Sequence, residues 1–410
     1  MFLFAQAASA SAGDDAGGAT PSVQASGWFA ADYFRSDNHL DNRTDFAGAA
    51  LDIKLKATLT DKLGAQFEAR AIAPDLGRNS NSDSALIEGF LSWQDDQWRI
   101  RLGKQIVAWG RADGLNPTDN LTPHDYVVML PFEEDQRTGT IALTADVALD
   151  SDYSLSMFAT PFFNPTRIPL PLGQAEFVNQ SSRSGVEGGL RLNRTGGQFD
   201  WSLSYFHGYD LFPVLRPIEF GPPLPVIALT YPQADVLGAD FAFNAGRFGV
   251  RGEFAYHHVG AAVPGDPLAR HSYWYGVLGA DRSFDDNLNI NLQVFGRAIE
   301  DYADPATSAP AAERPLAVLD AIIGGQQDRH TYGFTARVAK TWLNDTLKAE
   351  VLAVANRTRR DFYLRPLLSY DANDHTRLSA GVNLYRGPID SFFGRLAGNS
   401  GAFAQARFSF

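Results

Sequence analysis

Apolar and polar residues alternate with a period of two along most of this chain. Leu288, Ile290, Leu292 and Val294 share one face while Asn289, Asn291 and Gln293 share the other, and Arg297 continues the polar row. Leu51, Ile53, Leu55, Ala57 and Leu59 oppose Asp52, Lys54, Lys56 and Thr58, and Leu347, Ala349, Val351 and Ala353 turn away from Lys348 and Glu350. Side chains of a strand point to opposite faces in turn, so each segment predicts a strand with one apolar and one polar side. With the turn residues between them, these patterns predict strands near 27–36, 46–60, 63–73, 85–94, 98–109, 137–149, 152–160, 184–193, 198–208, 234–244, 248–258, 271–282, 288–299, 329–342, 346–357, 361–370, 375–386 and 401–410.

The connections alternate in length. Asp61-Lys62, Asp95-Asp96, Asp150-Ser151, Thr195 to Gly197, Ala245 to Arg247, Asp285 to Asn287, Asn344-Asp345 and Asp371 to Asp374 are tight turns rich in Asp, Asn and Gly, and mostly longer loops lie between them. The predicted fold is therefore all-β: a closed antiparallel transmembrane β-barrel of about 18 strands with long extracellular loops and both chain ends in the periplasm. Thr358 to Arg360 is short for an outer loop, so 16 strands is the alternative count. Gly401 to Phe410 puts Ala404, Ala406, Phe408 and Phe410 on one face and Gln405, Arg407 and Ser409 on the other, and the chain stops on the aromatic. A bacterial outer-membrane barrel ends in this way, which implies delivery to the barrel assembly machinery through Phe410 and surroundings of outer-membrane lipid and lipopolysaccharide.

Composition narrows the picture further. A chain of 410 residues could hold two soluble domains, but the alternation runs from about Trp28 to Phe410 without a linker, so 27–410 is one barrel domain. Residues 1–26 are read as a residual signal peptide, MFLFAQAASASA, followed by a disordered tail rich in Gly, Ala, Ser and Asp. No apolar run approaches the roughly 18 residues of a spanning helix, and only helices and closed barrels satisfy every backbone polar group in lipid. There is no cysteine, hence no disulfide framework and no thiolate metal site or nucleophile. Trp28, Tyr33, Trp93, Trp98, Tyr153, Trp201, Tyr205, Tyr273, Phe362 and Phe410 are candidates for the aromatic girdles at the two membrane interfaces.

The polar faces carry the candidate chemistry. They present Lys54, Lys56, Arg70, Arg99, Arg101, Arg191, Arg251, Arg297, Arg337, Lys348, Arg365, Arg377 and Arg407 to the lumen, against Asp52, Glu68, Glu88, Glu187, Asp200, Asp240, Glu253 and Glu350. The inferred wall is net basic although the chain has a formal charge of -12, so the acidic excess belongs to turns and loops. Such a wall draws in anions; alternatively its arginines pair with neighbouring acids, as Arg70 with Glu68 or Arg251 with Glu253, and stiffen the wall. Four long loops, Ala108 to Gln136, Pro161 to Arg183, Gly208 to Asp235 and Glu300 to Asp328, are expected to include at least one that folds into the lumen, and Pro315 to Ile323 predicts a short helix.

The run R-L-G-K-Q-I-V-A-W-G, Arg101 to Gly110, resembles the strand-to-loop motif of alginate-export-like outer-membrane barrels and of a related group of proteobacterial barrels. Gly103, Gln105, Trp109 and Gly110 match, and Lys104 stands where arginine is usual. The continuation through Arg111, Asp113, Gly114, Asn116 and Pro117 fits the related group better than the alginate exporters. The resemblance implies a large monomeric barrel whose basic lumen passes an anionic solute, either a small molecule or a polysaccharide. A purely architectural reading makes Gly103 a close-packing or bulge position and Trp109 a girdle aromatic.

The function expected from these features is a porin-like channel for passive transport of anionic or carboxylated solutes. The alternatives are an export or assembly barrel working with a periplasmic machine, and an outer-membrane enzyme. The eight histidines show no metal-ligand spacing, and GxSxG, P-loop and GxGxxG motifs are absent, so no catalytic residue, metal or cofactor is assigned. Barrel phospholipases use a serine–histidine pair on the outer wall, and His207 beside Ser204 or His271 beside Ser272 would be candidates for one. No basic run with interleaved aromatics suggests nucleic-acid binding.

Overall fold

The computed structural model describes residues 20–36, 44–76, 83–128, 130–170, 175–180, 185–219, 224–260 and 266–410. The signal-like stretch up to residue 19, and Pro222 and Pro223 of the proline-rich loop, lie outside the described residues. The strands are β1 (Ser22–Ser36), β2 (Asp45–Thr58), β3 (Leu63–Ala73), β4 (Asp83–Gln94), β5 (Trp98–Gln105), β6 (Thr140–Ala148), β7 (Tyr153–Thr160), β8 (Glu176–Asn179), β9 (Glu187–Arg194), β10 (Phe199–Tyr209), β11 (Val214–Glu219), β12 (Val226–Thr230), β13 (Gln233–Ala245), β14 (Phe248–Val259), β15 (Tyr273–Ser283), β16 (Leu288–Ile299), β17 (His330–Trp342), β18 (Leu347–Asn356), β19 (Asp361–Asn373), β20 (Thr376–Arg386) and β21 (Gly401–Ser409). All but β8, β11 and β12 join one 18-stranded sheet, and β1 pairs with both β2 and β21, so the sheet closes. Every pairing in it is antiparallel between successive members, down to β18 and β19 across the short connection at Thr358. β1 begins at Ser22, inside the stretch assigned to the tail.

Burial in this barrel is inverted relative to a soluble protein. On β16, Leu292 and Val294 are 55% and 58% exposed on the outer wall, while Asn291 and Gln293 are buried at 5% and 2% inside. Asp52 is likewise buried between the outward Leu51 and Ile53. An apolar row can be left bare only where the solvent is itself apolar. The short turns are held by residues suited to positive φ, among them Asn287, Asn344, Asp345 and Gly246.

Two girdle candidates point the other way. Trp28 lies inside, with the Arg407 guanidinium 4.1 Å and that of Arg70 5.3 Å from its ring centroid. Tyr273 also faces inward, stacked on His257 at 4.3 Å. Strand parity fixes both, since Phe29 and Trp274 beside them take the outward positions.

The described parts of three of the long loops carry secondary structure of their own. Strands β8, β11 and β12 form a small three-stranded sheet, and helices α1 (Pro305–Ser308) and α2 (Arg314–Ile323) come from the β16–β17 loop. Leu215, Ile227 and Leu268 pack with Ala309, Leu316 and Ala317 into an apolar cluster that joins this sheet to α1 and α2. A third short helix, α3 (Phe392–Arg395), lies between β20 and β21. No helix among the described residues is long and apolar enough to cross a membrane.

Candidate functional site: a loop tied across the lumen

Residues 106–139, between β5 and β6, turn inward and cross the barrel. The departure is fixed by Gln105, 1% exposed, whose side chain donates to the Ala142 carbonyl at 2.9 Å and accepts from Thr144 Oγ1 at 2.9 Å. Gly103 has φ +136°, and a Cβ there would lie 2.3 Å from the Gly89 carbonyl oxygen, so the last turn of β5 admits only glycine. Trp109, read from sequence as a possible girdle residue, is instead buried inside the barrel. It packs with Leu121 of the loop and with Ala142, Phe158, Phe206, Val236 and Ala255 of the wall. A large apolar side chain buried this way contributes about 1.5 to 3 kcal/mol, which offsets the entropy of ordering a long loop.

Carboxylates then tie the chain down. Glu253 of β14 accepts from the backbone N–H groups of Arg111 and Ala112 and from Thr118 Oγ1 at 3.1 Å. Gly110, with φ +107°, lets the backbone come this close; a Cβ would sit 2.7 Å from the Glu253 carboxylate. Arg111 donates through Nε to Asp240 of β13 at 2.6 Å. Further across, the Asp113 carboxylate accepts from Arg337 Nη1 of β17 and Asn291 Nδ2 of β16, both at 3.2 Å. The returning segment ends at Asp135, which binds Arg407 of β21 and lies 4.0 Å from Arg70 of β3. The loop therefore reaches walls on opposite sides of the barrel. Within it, Arg137 donates to Asp119 at 3.1 Å. Burial still raises the Asp119 pKa to about 6, and burial with the nearby Arg137 lowers that of His124 to about 4.

The remaining motif residues belong to this arrangement except Lys104. Pro117 accepts from His257 at 3.2 Å through its carbonyl, Gly114 takes φ +86°, and Asn116 lines the cavity above the loop. Lys104 points to the outer wall, paired with the outward Ile141 and with Gly89, and its ammonium donates to the Leu86 carbonyl. That carbonyl adjoins a β-bulge, where β4 carries one extra residue, Ile87, opposite β3.

Most of the basic residues assigned to the lumen meet a carboxylate there. Lys54 pairs with Glu68 at 2.6 Å, Arg70 with Asp52 at 2.9 Å, Arg191 with Asp240 at 2.9 Å and Arg251 with Asp281 at 2.7 Å. Glu350 takes Arg337 at 3.1 Å and Lys348 at 2.9 Å, and Asp371 takes Arg377 at 2.6 Å. Arg70 also lies 3.8 Å from Glu68, the partner that sequence proximity suggested, whereas Arg251 takes Asp281 rather than Glu253. Arg297 lies over the Tyr273 and Tyr275 rings and donates to the Gly324 and Gly325 carbonyls at 3.0 Å. Among the described residues, Lys56, Arg99, Arg101 and Arg365 have no carboxylate within 4 Å: Arg99 donates to Gln94 Oε1 at 3.0 Å, Arg101 lies over Phe90 and Arg365 over Phe132 and Phe403. Lys56, Arg99 and Arg101 sit toward the short-turn mouth.

Above the loop, toward the long-loop end, opens a cavity of about 1660 Å³. Its lining is largely apolar and aromatic, from Phe34, Leu130, Ile168, Phe177, Leu319 and Phe393 among others, with Arg297 and Arg365 reaching in from the wall. Sequence periodicity did not reveal this chamber, because its walls come from loops and from strand ends where the inward positions turn apolar.

Neither serine–histidine pair considered from sequence is joined by a hydrogen bond, and strand parity separates the first. His207 faces outward against Asp235 at 2.8 Å while Ser204 faces the lumen, and His271 binds the Asp266 carbonyl at 3.1 Å. Ser272 instead lies 3.4 Å from His258 Nδ1, nearly buried, with its oxygen accepting the Val259 N–H.

Fold and site together define a porin-type β-barrel narrowed from within by a tethered loop. The chain belongs to the DUF1302 family, described as a protein of unknown function, whose family model matches residues 22–390. The match shows membership of this family and does not extend to the alginate-export-like identity that the β5 motif suggested. No curated protein is significantly similar to it. Among solved structures, OccAB1 of Acinetobacter baumannii shares the fold with a TM-score of 0.56 at 8% identity, covering 95% of this chain and 96% of that one. A Rhodopseudomonas blastica porin variant covers 95% of this chain and all of its own, at 11% identity and a TM-score of 0.45.

Proposed function

We propose that this protein is an outer-membrane diffusion channel that passes small anionic or carboxylated solutes, with residues 106–139 as its constriction. The observation that carries the reading is the course of that loop, anchored to Glu253 and Arg337 on one side of the barrel and to Arg407 and Arg70 on the other. A purely structural barrel has no need of such a crossing element, whereas a channel that selects solutes does. The inverted burial of the wall supports a location in the outer membrane.

Anion preference rests on a smaller set of charges than sequence suggested. Paired guanidinium and carboxylate groups largely cancel as seen from the passage, so the basic field on a solute comes from Lys56, Arg99, Arg101, Arg297 and Arg365. A loop tethered at so many points favours small solutes over a polysaccharide. Single-channel recording of the purified protein in planar bilayers tests the reading. Discrete openings with an anion-selective reversal potential in a salt gradient are expected; a barrel that folds and inserts but conducts nothing would overturn it.

A further inference from the structure

Among the described residues Arg365 lines the cavity without a carboxylate partner, and Tyr363 beside it on β19 supplies a side-chain hydrogen bond. The Arg365 guanidinium enters from β19 between two aromatic faces, 5.5 Å from the centroid of Phe132 of the crossing loop and 5.4 Å from that of Phe403 of β21. Its Nε is buried without a hydrogen-bond partner. Arg297, another arginine of this chamber, is occupied by the two carbonyls after helix α2. The acidic side chains around the chamber are engaged elsewhere, Asp119 with Arg137, Asp210 with Arg270 and Asp328 with Arg359. Glu133 shares the cavity and feels the field of Arg365, yet lies beyond ion-pair distance of it.

Stacking between aromatic faces eases the burial of a guanidinium but does not satisfy its N–H groups. A carboxylate does, since its two oxygens match the guanidinium fork. Beside Arg365 stands an apolar slab. The Tyr363 and Tyr385 rings stack at 4.9 Å with 14° between planes, Phe393 continues the stack 6.0 Å from Tyr363, and the Tyr363 hydroxyl is already donated to Asn383 at 2.7 Å. Leu352 and Phe34 extend the apolar lining. A mostly apolar chamber with a few convergent polar groups is the form of a site for an amphipathic ligand.

We propose that Arg365 is a binding station for monocarboxylates with an apolar body, the carboxylate on the guanidinium and the acyl or aromatic part against Tyr385, Phe393 and Leu352. This rests on the channel reading and narrows its solute class to hydrophobic acids, away from hydroxylated ones such as sugar acids.

The test uses the full-length protein in detergent, with octanoate, octan-1-ol, acetate and gluconate as probes, binding read by calorimetry and block of current read in bilayers. Octanoate is expected to bind at least tenfold more tightly than each of the other three, and Arg365→Gln to weaken octanoate at least tenfold relative to octan-1-ol. Arg365→Lys, which keeps the charge but not the fork, should fall between. Equal binding of octanoate and acetate by the native protein overturns the hydrophobic-acid class, and this comparison needs no variant. Equal octanoate binding by the native protein and a folded Arg365→Gln overturns the station. Either result with openings still recorded leaves the channel standing; Arg365-dependent octanoate binding in a protein that never opens refutes the channel and keeps the site.

Discussion

Single side chains here do work that their neighbours in sequence do not disclose. Lys104 faces the apolar exterior, where a cation costs about 2 to 4 kcal/mol near the midplane of a bilayer, and it is retained with its ammonium on the Leu86 carbonyl beside the β4 bulge. Lys104→Met is expected to leave that carbonyl bare and Lys104→Arg to keep it capped. Removing a cap from a polar group without access to water costs about 1 to 3 kcal/mol, so urea unfolding from lipid vesicles should rank the arginine variant above the methionine one; the reverse order would mean that the contact does not matter. Selectivity belongs to the same scale. Arg99 and Arg101 share the inner face because Trp98, Ile100 and Leu102 claim the outer one. Replacing both with glutamate should move the reversal potential away from anions, by less as salt rises and screening tightens. An unchanged potential in a folded double variant would move charge selection to the remaining luminal cations, Lys56, Arg297 and Arg365.

The decisive element is the crossing loop. Deleting Leu115 to Met129 should raise single-channel conductance several-fold while the barrel still assembles, and a conductance within the scatter of the native protein would show that the passage is set elsewhere. Its pH response follows from two groups of opposite sign. His124 has a folded pKa near 4, below its usual 6.5, so docking of the loop is favoured above 6.5 and loses that support as pH falls toward 4. Asp119 has a folded pKa near 6, above its usual 3.8, so it disfavours docking when ionised and relieves that strain as pH falls from about 6 to 4. The two contributions oppose each other over nearly the same window, and the native loop should change little between pH 7 and 4. Acidification should tighten the loop in His124→Gln and loosen it in Asp119→Asn, as measured by the rate of limited proteolysis across the pH range. The same direction of change in both variants would contradict this account.

At the scale of the whole molecule, the barrel is a container with two solvents and a partial core of its own. The apolar outer band answers lipid, the inner wall answers water and its own counter-charges, and the cluster around Trp109 makes a small dry core inside the lumen. Sheet closure through β1 and β21 removes the free edges that an open sheet would expose in lipid. The purified protein is therefore expected to give a strand-dominated circular dichroism spectrum that survives heating far better than the loop contacts do. A helix-dominated spectrum would contradict the fold outright.

The spacing of the strands was legible in the amino-acid order because it is a local property: a wall between lipid and water imposes period two on each strand separately, and Asp, Asn and Gly mark where each strand turns. Short turns at one end and long loops at the other were legible by the same local logic, and even α2 follows from Pro315 to Ile323. The candidate site was legible only in outline. The dense turn formers of residues 108–136 announced a special loop, and Arg365 stood among many luminal cations without distinction. Which of those cations are cancelled depends on acids distant in sequence, such as Asp135 for Arg407 and Asp281 for Arg251, and a pairing of this kind exists only once the sheet has closed. The aromatic rings were misassigned at Trp28, Trp109 and Tyr273 because a ring suits a membrane interface and a dry interior equally well; the choice between them is made by strand parity and by what packs opposite. Sequence alone thus determined that this chain builds a barrel and where its strands run, whereas only the tertiary structure decided what the barrel holds inside, because contacts across a lumen join residues that no local pattern connects.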